Sequence, residues 1–363
     1  MTAPAKNMTP RLTPAKAEAG PTVGAGYAKG LLNFAVSKGA PREELLTRAN
    51  ISAADIDDLD NRILVSRYVA LMQAGIDLLN EPALALQYGE AVRMQDLSIV
   101  GLICEACETT LDVGTQLNRY GRLVFDENAG DAYSMIRLAS RPDGLWMQVT
   151  SQTFNVNQLV IEAEFARLVW NTRTMFAGHP HLQKSPFPLE LHFSHPEPGY
   201  RAEYDRVFQA PVTFGTNWNA LRFDPEFLTL RQPPINRYVF GVLSERAEAL
   251  LKSLESAKTT RGQVESLLIP HLHKGEQSIE RVAETLGLSR QTLYRKLKAE
   301  GVTFEKLLDE LRHKMALHYL DGKKVSVNET AYLVGFSEPS AFSRAFRRWT
   351  GKSPKKRGAQ GQD

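Results

Sequence analysis

The amino-acid sequence predicts a multidomain protein, in which an N-terminal α+β domain is followed by an all-α domain with two helix-turn-helix motifs joined by a linker helix. Three observations lead to this fold class. The chain has 363 residues, which exceeds the size of most single cores, so two domains are expected. Helical and strand patterns follow one another in the N-terminal part. The C-terminal part contains a duplicated helical unit.

The N-terminal α+β domain is predicted over residues 23–232. Residues 1–22 contain four prolines and no apolar signal-peptide segment, so we expect a disordered leader there. From about residue 26 to 125 the pattern is mainly helical. Further along, Pro142, Asp143 and Gly144 form a turn sequence between two alternating runs, which predicts a β-hairpin. The expected elements are helices over 65–79, 109–124 and 155–178, hairpin strands over 131–139 and 144–154, and short strands over 187–195, 212–215 and 219–224.

A helical linker is predicted over residues 233–262. Apolar residues in it recur in alternating steps of three and four, which is the spacing of a coiled-coil seam. Because the repeat lasts only about two heptads, packing against the same domain and dimerisation are equally open. The residues expected to form a dimer seam are Phe240, Leu243, Leu250 and Leu254, with Ala247 between them. Residues 253–263 are expected to be the exposed helix end and a connection to the next domain.

Positive charge is concentrated in the C-terminal part of the chain. From Gln263 onward there are 18 Lys and Arg residues against 12 Asp and Glu, whereas the preceding part has 26 against 29. This asymmetry predicts an anionic partner, with DNA, RNA and a membrane surface all open. The longest apolar run, residues 97–104, is far shorter than the roughly 20 residues of a membrane span. With two cysteines and no export signal, a cytoplasmic location is expected.

The basic domain, predicted over residues 263–356, contains an internal repeat. Residues 278–301 and 326–351 match at an offset of 48 in their first halves and 49 in their second halves. Each copy predicts a short helix, a turn and a second helix, which gives helix-turn-helix motifs over 278–300 and 326–350. The last residues, 357–363, are expected to form a disordered tail.

Three matched residue pairs in the repeat are those that a helix-turn-helix requires. Serine is a good N-cap, alanine lets a second helix cross closely, and glycine permits a left-handed turn between the helices. The pairs are Ser278 and Ser326, Ala283 and Ala331, and Gly287 and Gly335. Ser289 and Ser337 are expected to help start the second helices.

The second helix of each copy has an apolar face and a polar face. Leu293, Leu297, Phe342, Phe346 and Trp349 are expected to face the core, so the aromatic residues do not share a face with the arginines. The opposite rows contain side chains that hydrogen-bond base edges in a major groove. The expected base-contacting residues are Gln291, Tyr294, Arg295, Ser340, Ser343 and Arg344. The expected phosphate-contacting residues are Arg290, Lys298, Arg347, Arg348 and Lys352.

Residues 303–320 predict the linker helix between the two copies. Such a helix is about 27 Å long. A connector of this length suits two recognition helices in successive major grooves, which lie about 34 Å apart along one face of the duplex. Two copies with matched caps, turn glycines and outward arginines therefore predict that this domain binds double-stranded DNA.

These C-terminal residues resemble the AraC/XylS family of bacterial transcription regulators. The similarity is concentrated in residues 327–354, around the second motif. Residues whose positions are similar to the family's base-contacting ones are Gln291, Tyr294, Arg295, Ser340 and Arg344. The family usually carries a Tyr-Arg pair shortly after its Ser-Pro, whereas this chain continues Lys-Lys-Arg-Gly after Pro354.

Residues 191–228 more weakly resemble the arabinose-binding-like effector domain of one AraC-type subgroup. The resemblance implies a response to a small molecule, such as an amino acid or a fatty acid, and does not imply a sugar. The sequence does not identify the residues that bind this effector. Arginines able to meet an effector carboxylate are Arg93, Arg119, Arg122, Arg137, Arg167 and Arg173.

No catalytic, metal or cofactor site is predicted. Cys104 and Cys107 lie in an apolar helical pattern without a second pair at zinc-site spacing, so they are expected to be buried and structural. His192 and His195 flank an expected strand end, which does not favour a metal site. Residues 24–30 lack the glycine spacing and the preceding strand of a dinucleotide-binding motif.

The expected function is a sequence-specific DNA-binding transcription regulator of the AraC/XylS type, controlled by a small-molecule effector in the N-terminal domain. The expected partners are double-stranded DNA, RNA polymerase, the effector and a second copy in a homodimer, without a membrane. Two alternatives stay open. One is a constitutive DNA-binding protein without an effector, and the other is an enzyme whose catalytic N-terminal domain is targeted to DNA.

Overall fold

The computed structural model describes residues 20–127, 134–232, 237–275, 277–321 and 325–354. The chain forms two compact units, one up to Lys252 and the other from Ser253 onward. This division falls inside the segment predicted as a helical linker. The predicted leader and tail lie outside the described residues, apart from residues 20–22.

The first unit contains helices of five to eighteen residues and the first part of a longer one. They are α1 (Ala25–Ser37), α2 (Arg42–Ala49), α3 (Ala53–Asp57), α4 (Val65–Leu79), α5 (Leu84–Ala91), α6 (Ile99–Glu105), α7 (Thr110–Val124), α8 (Gln152–Val156), α9 (Gln158–Met175), α10 (Pro180–Lys184), α11 (Arg201–Phe208) and α12 (Arg237–Lys258). Short 3₁₀ helices cover Met94–Asp96 and Pro225–Thr229. Capping boxes start two of the helices, with Ser52 before α3 and Thr109 before α7.

Two sheets complete the first unit. One has the order β2-β1-β3 and the other the order β4-β5-β8-β6-β7. Their strands are β1 (Thr22–Gly24), β2 (Arg62–Leu64), β3 (Phe125–Asp126), β4 (Ile136–Arg141), β5 (Gly144–Val149), β6 (Glu190–His192), β7 (Val212–Thr213) and β8 (Ala220–Phe223). In the larger sheet β6 and β7 are parallel, and the other neighbours are antiparallel. The predicted α+β fold of the N-terminal part is confirmed.

The predicted hairpin is the pair β4 and β5, in which Arg141 lies opposite Gly144. Pro142 and Asp143 form its two-residue loop, and Gly144 has a φ of +138°, which favours glycine. The later short strands were also predicted, as β6, β7 and β8. Helix α11 was not, because its eight residues include few apolar ones to reveal a helical period.

The small sheet was not predicted, and it corrects the statement that no strand precedes residues 24–30. Strand β1 lies directly before α1 and pairs with β2 and β3, so residues 24–30 do follow a strand. Strands of two or three residues are too short to show alternation in the sequence. A glycine early in α1 has a packing role, because a Cβ on Gly26 would lie 1.8 Å from the carbonyl oxygen of Leu97.

Helix α9 lies in the core of the first unit. Helix α5 packs closely on it, because a Cβ on Gly89 would lie only 2.4 Å from the carbonyl oxygen of Ala163. The fully buried Glu162 is also on this helix. Its carboxylate accepts hydrogen bonds from the Tyr204 hydroxyl at 2.5 Å and the Tyr200 hydroxyl at 2.9 Å. A buried charge of this kind requires such partners.

The second unit is helical in its described part. Its helices are α13 (Thr260–Leu268), α14 (Ile279–Thr285), α15 (Arg290–Ala299), α16 (Phe304–Asp321), α17 (Val327–Leu333) and α18 (Pro339–Thr350), with a 3₁₀ helix over Ile269–Lys274. Residues 253–263, expected to end one helix and connect to the next domain, are helical except for Thr259. The Thr259 hydroxyl accepts a hydrogen bond from the Gly262 amide at 2.9 Å and so caps α13.

The second unit has two apolar clusters that share α16. The first cluster includes Leu293 and Leu297 of α15 together with Leu307 and Leu311 of α16. The second cluster joins α16, α17, α18 and the 3₁₀ helix, and its buried members are Leu272, Ala316, Leu320, Ala331, Val334, Phe342 and Phe346. Each helix-turn-helix therefore has its own core, and one helix supplies residues to both. Within the described residues, no helix is long and apolar enough to cross a membrane.

Candidate nucleic-acid interface and interior cavity

The first helix-turn-helix consists of α14 and α15. The Ser278 hydroxyl accepts a hydrogen bond from the Arg281 amide at 3.3 Å, and the Ser289 hydroxyl accepts one from the Thr292 amide at 3.2 Å. Gly287, in the turn, has a left-handed φ of +68°. These contacts confirm the caps and the turn that the repeat predicted.

The second helix-turn-helix consists of α17 and α18. The Ser326 hydroxyl accepts a hydrogen bond from the Glu329 amide at 3.1 Å, and Gly335 has a φ of +83°. The prediction for Ser337 is wrong, because α18 is preceded by Glu338, which makes no side-chain cap. The turn is one residue longer than in the first motif, and Pro339 takes the first helical position, where its missing N–H is tolerated.

The two faces of each second helix are arranged as predicted. Leu293, Leu297, Phe342 and Phe346 are fully buried, and Trp349 packs beside the second cluster. The expected base-contacting residues Gln291, Tyr294, Arg295, Ser340 and Arg344 are exposed, whereas Ser343 is half-buried. Arg295 and Arg344 form no hydrogen bond or ion pair with any residue that the structure describes. Both guanidinium groups therefore have their donors available.

Two of the expected phosphate-contacting residues have partners within the chain. Arg290 lies 3.0 Å from a carboxylate oxygen of Glu280, and Arg348 lies 2.7 Å from one of Asp309. Asp309 also accepts a hydrogen bond from the Trp349 indole at 2.9 Å, so it joins α16 to α18. The other expected phosphate contacts, which are all exposed, are Lys298, Arg347 and Lys352.

The second motif also packs tightly on the 3₁₀ helix. A Cβ placed on Gly335 would lie 2.2 Å from the carbonyl oxygen of Leu272, a separation that no real Cβ adopts. Arg312 of α16 lies over the Phe336 ring at 5.0 Å and approaches the Gly335 carbonyl oxygen at 3.4 Å. The corresponding glycine of the first motif, Gly287, has nothing within 4 Å of such a Cβ. The two turns thus differ in their surroundings.

An interior cavity of about 220 Å³ lies in the first unit and is partly open to solvent, since Leu111 and Leu138 in its lining are exposed. Its walls come from α6, α7, β4, β5, α9 and the segment around the 3₁₀ helix Pro225–Thr229. Most of the lining is apolar, and the larger apolar side chains are Met94, Leu111, Leu117, Ile136, Leu138, Met147, Leu168, Met175, Phe176, Phe187, Phe223, Phe227 and Leu228. Sequence reasoning predicted no residue of this cavity as an effector contact.

Eight of the described lining residues have polar side chains, and the two asparagines among them are held by hydrogen bonds to the chain. The Asn118 side chain bonds to Met135 and Ile136, and the Asn171 side chain accepts from the Met94 amide at 3.2 Å. Gln232 differs, because its side-chain Nε2 is buried and has no hydrogen-bond partner among the residues that the structure describes. The residue as a whole is only 6% exposed. An unpaired buried amide donor is a costly arrangement.

The segment that supplies Phe227, Leu228 and Gln232 to the cavity lining leads along the chain to α12. The Thr110 amide donates to the Leu230 carbonyl oxygen at 3.2 Å, and the Gln232 amide donates to the Glu108 carbonyl oxygen at 3.0 Å. These bonds hold residues 225–232 against the start of α7. Helix α12 begins five positions later, at Arg237. The cavity wall and this helix are therefore close neighbours along the chain.

None of the six arginines considered for an effector carboxylate lines the cavity. Arg119 instead forms an ion pair with Glu248 at 2.6 Å, and Arg173 donates to the Phe187 carbonyl oxygen at 2.8 Å. Arg167 is 1% exposed and lies over the Tyr88 ring. Arg119, Arg173 and Arg167 are thus engaged in contacts within the fold.

The two cysteines are buried and free, as expected. Burial raises the pKa of the Cys107 thiol to about 12, with a smaller contribution from the Asp112 carboxylate. A thiol with such a pKa is protonated and unreactive at neutral pH. His192 accepts a hydrogen bond from the Trp218 indole at 2.9 Å and lies 3.0 Å from Glu190. The described residues contain no group of three or more side chains arranged to hold a metal.

The residues of the expected dimer seam contact their own chain. Phe240 and Leu243 are half-buried against the core of the first unit, and Leu250 and Leu254 are buried. On another side of α12, three apolar residues are exposed: Tyr238 at 77%, Val239 at 42% and Val242 at 48%.

Two helix-turn-helix motifs with exposed polar rows on their second helices define a DNA-binding protein. Comparison with known families agrees with this class. Residues 39–232 match the family described as the arabinose-binding domain of AraC transcription regulator, and residues 282–357 match a helix-turn-helix domain. The first match alone spans more than half of the chain, so the chain belongs to the AraC family of transcription regulators.

Individual relatives extend the comparison. The chain is 26% identical over 332 residues to the ornithine utilization regulator of Pseudomonas aeruginosa, covering 90% of this chain and 94% of that protein. It is 32% identical over 171 residues to the HTH-type transcriptional regulator VirS of Mycobacterium tuberculosis, covering 47% of this chain and 49% of VirS. The solved structure of the transcriptional regulator CdpR from Pseudomonas aeruginosa has 21% identity and a TM-score of 0.36, covering 92% of this chain and 98% of CdpR. The two family matches show that the chain is an AraC-type DNA-binding transcription regulator.

Proposed function

We propose that this regulator recognises a specific DNA sequence with both of its helix-turn-helix motifs and is controlled by a small molecule bound in the first unit. The main observation in support of sequence-specific DNA recognition is that α15 and α18 have the same arrangement of faces. Each has a buried apolar face and an exposed polar face with an arginine that has no partner in the described part of the chain, Arg295 in one and Arg344 in the other. Arginine is the side chain best suited to pair with guanine in the major groove.

The length of helix α16 supports the proposal that one chain binds two successive major grooves. Its 18 residues span about 27 Å at the rise of an α-helix, and its two ends belong to the cores of the two motifs. Successive major grooves recur about every 34 Å along one face of the duplex. We propose base contacts by Gln291, Tyr294, Arg295, Ser340, Ser343 and Arg344, and phosphate contacts by Arg290, Lys298, Arg347, Arg348 and Lys352.

The interior cavity is the proposed effector site. It lies within the domain that the family match identifies as arabinose-binding-like, and it is lined by Phe227, Leu228 and Gln232 on the side that leads toward α12. A ligand that binds one arrangement of this wall more tightly than another shifts the population of arrangements. The proposed path of control therefore runs from the cavity through residues 225–232 to α12.

We further propose that the regulator acts as a homodimer on paired sites and recruits or blocks RNA polymerase. The exposed row of Tyr238, Val239 and Val242 on α12 offers an apolar surface for the second copy. The predicted seam through Phe240, Leu243, Leu250 and Leu254 is a second proposal for the same contact. It requires those side chains to leave the positions that they occupy in the single chain.

Footprinting on promoter fragments tests the DNA part of this proposal. The expected result is a specific site at which each bound chain protects two successive major grooves, with affinity that falls as salt rises. The double substitution Arg295→Ala and Arg344→Ala should remove the specific footprint, whereas Lys314→Ala, an exposed position on α16, serves as the control. Equal protection of unrelated sequences by the unmodified protein would instead favour a constitutive architectural protein.

A metabolite screen tests the effector part. A ligand that binds the native state raises the melting temperature of the first unit and alters the footprint. Turnover of a metabolite would favour the alternative of a DNA-targeted enzyme, although the named sequence relatives are regulators. A melting temperature insensitive to all ligands, together with an unchanging footprint, would remove effector control from the proposal.

A further inference from the structure

We infer that Glu300 is a positioning residue that fixes the direction of α15 by tying the end of this helix to the start of α13. Glu300 directly follows α15, whereas such a helix contacts bases from its N-terminal part. It therefore acts on DNA recognition through α15 and not through a base contact of its own. The inference rests on the proposed recognition of DNA by α15 and deepens it, since it names a residue that controls the orientation of that helix.

The Glu300 carboxylate binds the first turn of α13. The Thr260 amide donates to its Oε1 at 2.7 Å, and the Arg261 amide donates to its Oε2 at 2.8 Å. These two residues begin a nine-residue helix, and the first amides of a helix have no partner within it. Partial burial raises the pKa of Glu300, but these hydrogen bonds and the nearby Lys296 outweigh it, so the pKa lies below its usual value. The carboxylate is thus ionised at neutral pH, and a negative charge is favourable at a helix N-terminus.

The start of α13 is a firm attachment point. A Cβ on Gly262 would lie 1.9 Å from the Ser256 carbonyl oxygen, so the last turn of α12 packs directly on the first turn of α13. The Arg261 guanidinium lies 2.7 Å from the Glu310 carboxylate of α16. The first turn of α13 is therefore held by two neighbouring helices. A carboxylate bonded to its amides is held with it.

Apolar packing between α13 and α15 complements this link. Val264 and Leu268 of α13 belong to the same buried cluster as Leu293 and Leu297 of α15. Such packing holds the two helices together but is non-directional. The two hydrogen bonds to Glu300 have directions of their own and lie beyond the last turn of α15. Packing along the helix and a directed link at its end together define where α15 points.

The second motif has a polar link at the matching position of the repeat. At the offset of 49, Glu300 corresponds to Trp349, whose indole donates to the Asp309 carboxylate of α16 at 2.9 Å. In each motif the end of the second helix is thus hydrogen-bonded to the helix that precedes the motif, which is α13 or α16. Donor and acceptor are exchanged between the motifs, but the connected elements correspond. Two such links at one repeat position indicate a shared requirement for holding the second helix.

The first test uses the sign of the charge change in the full-length protein. Glu300→Ala removes a negative charge, which by itself should strengthen binding to any DNA. Positioning predicts the opposite for the specific site, because the exposed row of α15 would no longer be held in register with the bases. Specific binding to a promoter fragment located by footprinting should weaken about tenfold, roughly the loss of one good base contact. Binding to unrelated DNA should be unchanged or tighter, as anisotropy titrations can measure.

Two further variants control this measurement. Glu284→Ala removes an exposed carboxylate of α14 that has no side-chain partner among the described residues, so it should not weaken specific binding. Glu300→Gln keeps one oxygen acceptor and should bind the specific site with an affinity between those of Glu300→Ala and the unmodified protein. It also carries the test if Glu300→Ala does not fold. Specific binding by Glu300→Ala or Glu300→Gln that equals or exceeds that of the unmodified protein would overturn the inference.

Footprinting shows which groove is affected. Glu300→Ala should lose protection of the groove bound by α15 and keep that of the groove bound by α18, whereas Asp309→Ala should show the reverse. Equal loss of both grooves by Glu300→Ala would mean that Glu300 serves general stability, and it would refute the positioning role. The proposed function fails separately, if the unmodified protein protects no specific site. If the unmodified protein protects two grooves and Glu300→Ala protects both equally well, only the inference about Glu300 fails.

Discussion

Substituting alanine for the turn glycine of each motif should affect the two motifs unequally. Gly287 and Gly335 occupy matching positions of the repeat, and both have left-handed backbones, with φ of +68° and +83°. The space beside them differs. A Cβ on Gly335 would collide with the Leu272 carbonyl oxygen at 2.2 Å, whereas a Cβ on Gly287 would have no atom within 4 Å.

The expected loss in the free energy of unfolding comes from two separate costs. A left-handed alanine costs about 1 to 2 kcal/mol at either position. Gly335→Ala adds the cost of moving a backbone carbonyl, which by analogy with overpacked cores is about 1 to 3 kcal/mol. The Leu272 oxygen has little freedom to move, because it also accepts a hydrogen bond from the Gln277 side chain at 3.2 Å. Gly335→Ala should therefore be less stable than Gly287→Ala by about 1 to 3 kcal/mol.

Hydrogen exchange and thermal melting of the full chain measure this difference. Loss of protection should concentrate in α17 and α18 for Gly335→Ala, and its melting transition should lie at least about 4 °C below that of Gly287→Ala. Footprinting gives a functional measure, since Gly335→Ala should lose protection of one groove and retain the other. Equal melting temperatures for the two variants would refute the reasoning, as would greater damage from Gly287→Ala.

Further predictions concern DNA contacts, pH and assembly. Arg295→Ala and Arg344→Ala should each weaken specific binding by about 1 to 3 kcal/mol without lowering the melting temperature, whereas Leu293→Ala should lower it. Burial raises the pKa of Glu162, and hydrogen bonds from tyrosine and glutamine side chains offset only part of the shift. The native state thus holds this proton more tightly than the unfolded state, and stability falls as pH rises between the two pKa values. Glu162→Gln should gain stability relative to the unmodified protein above that pH window and lose the advantage below it, as measured by urea unfolding. Val242→Glu should reduce dimer formation in sedimentation experiments, and an unaltered dimer would exclude the exposed row of α12 as the contact.

The helix-turn-helix motifs could be predicted from the sequence because their determinants are local. Serine caps, turn glycines and apolar spacing act within a few residues, and the second copy supported the interpretation of the first. The exception was Ser337, where one extra residue in the turn moved the helix start to Pro339. The different surroundings of the two turn glycines could not be predicted either, because Leu272 approaches Gly335 from a distant part of the chain.

The cavity could not be predicted, because its walls come from segments spread between Met94 and Gln232. No single segment shows a periodicity that distinguishes a lining residue from a core residue. The unpaired state of the Gln232 amide is likewise a property of its neighbours and not of its type. Arginines were natural candidates in the sequence, but ion pairs and backbone carbonyls occupy Arg119 and Arg173.

Because α16 contributes to the cores of both motifs, the proposed recognition of two grooves makes its length a determinant of which DNA sites the protein can bind. Each residue added to an α-helix advances the chain by about 1.5 Å and rotates the next residues by about 100°. One inserted residue in the middle of α16 would therefore turn the second recognition helix away from the groove that the first one specifies. Under the same proposal, substitutions at the exposed residues of α15 and α18 change the target bases, whereas the spacing and phase of those bases on the duplex are set by α16.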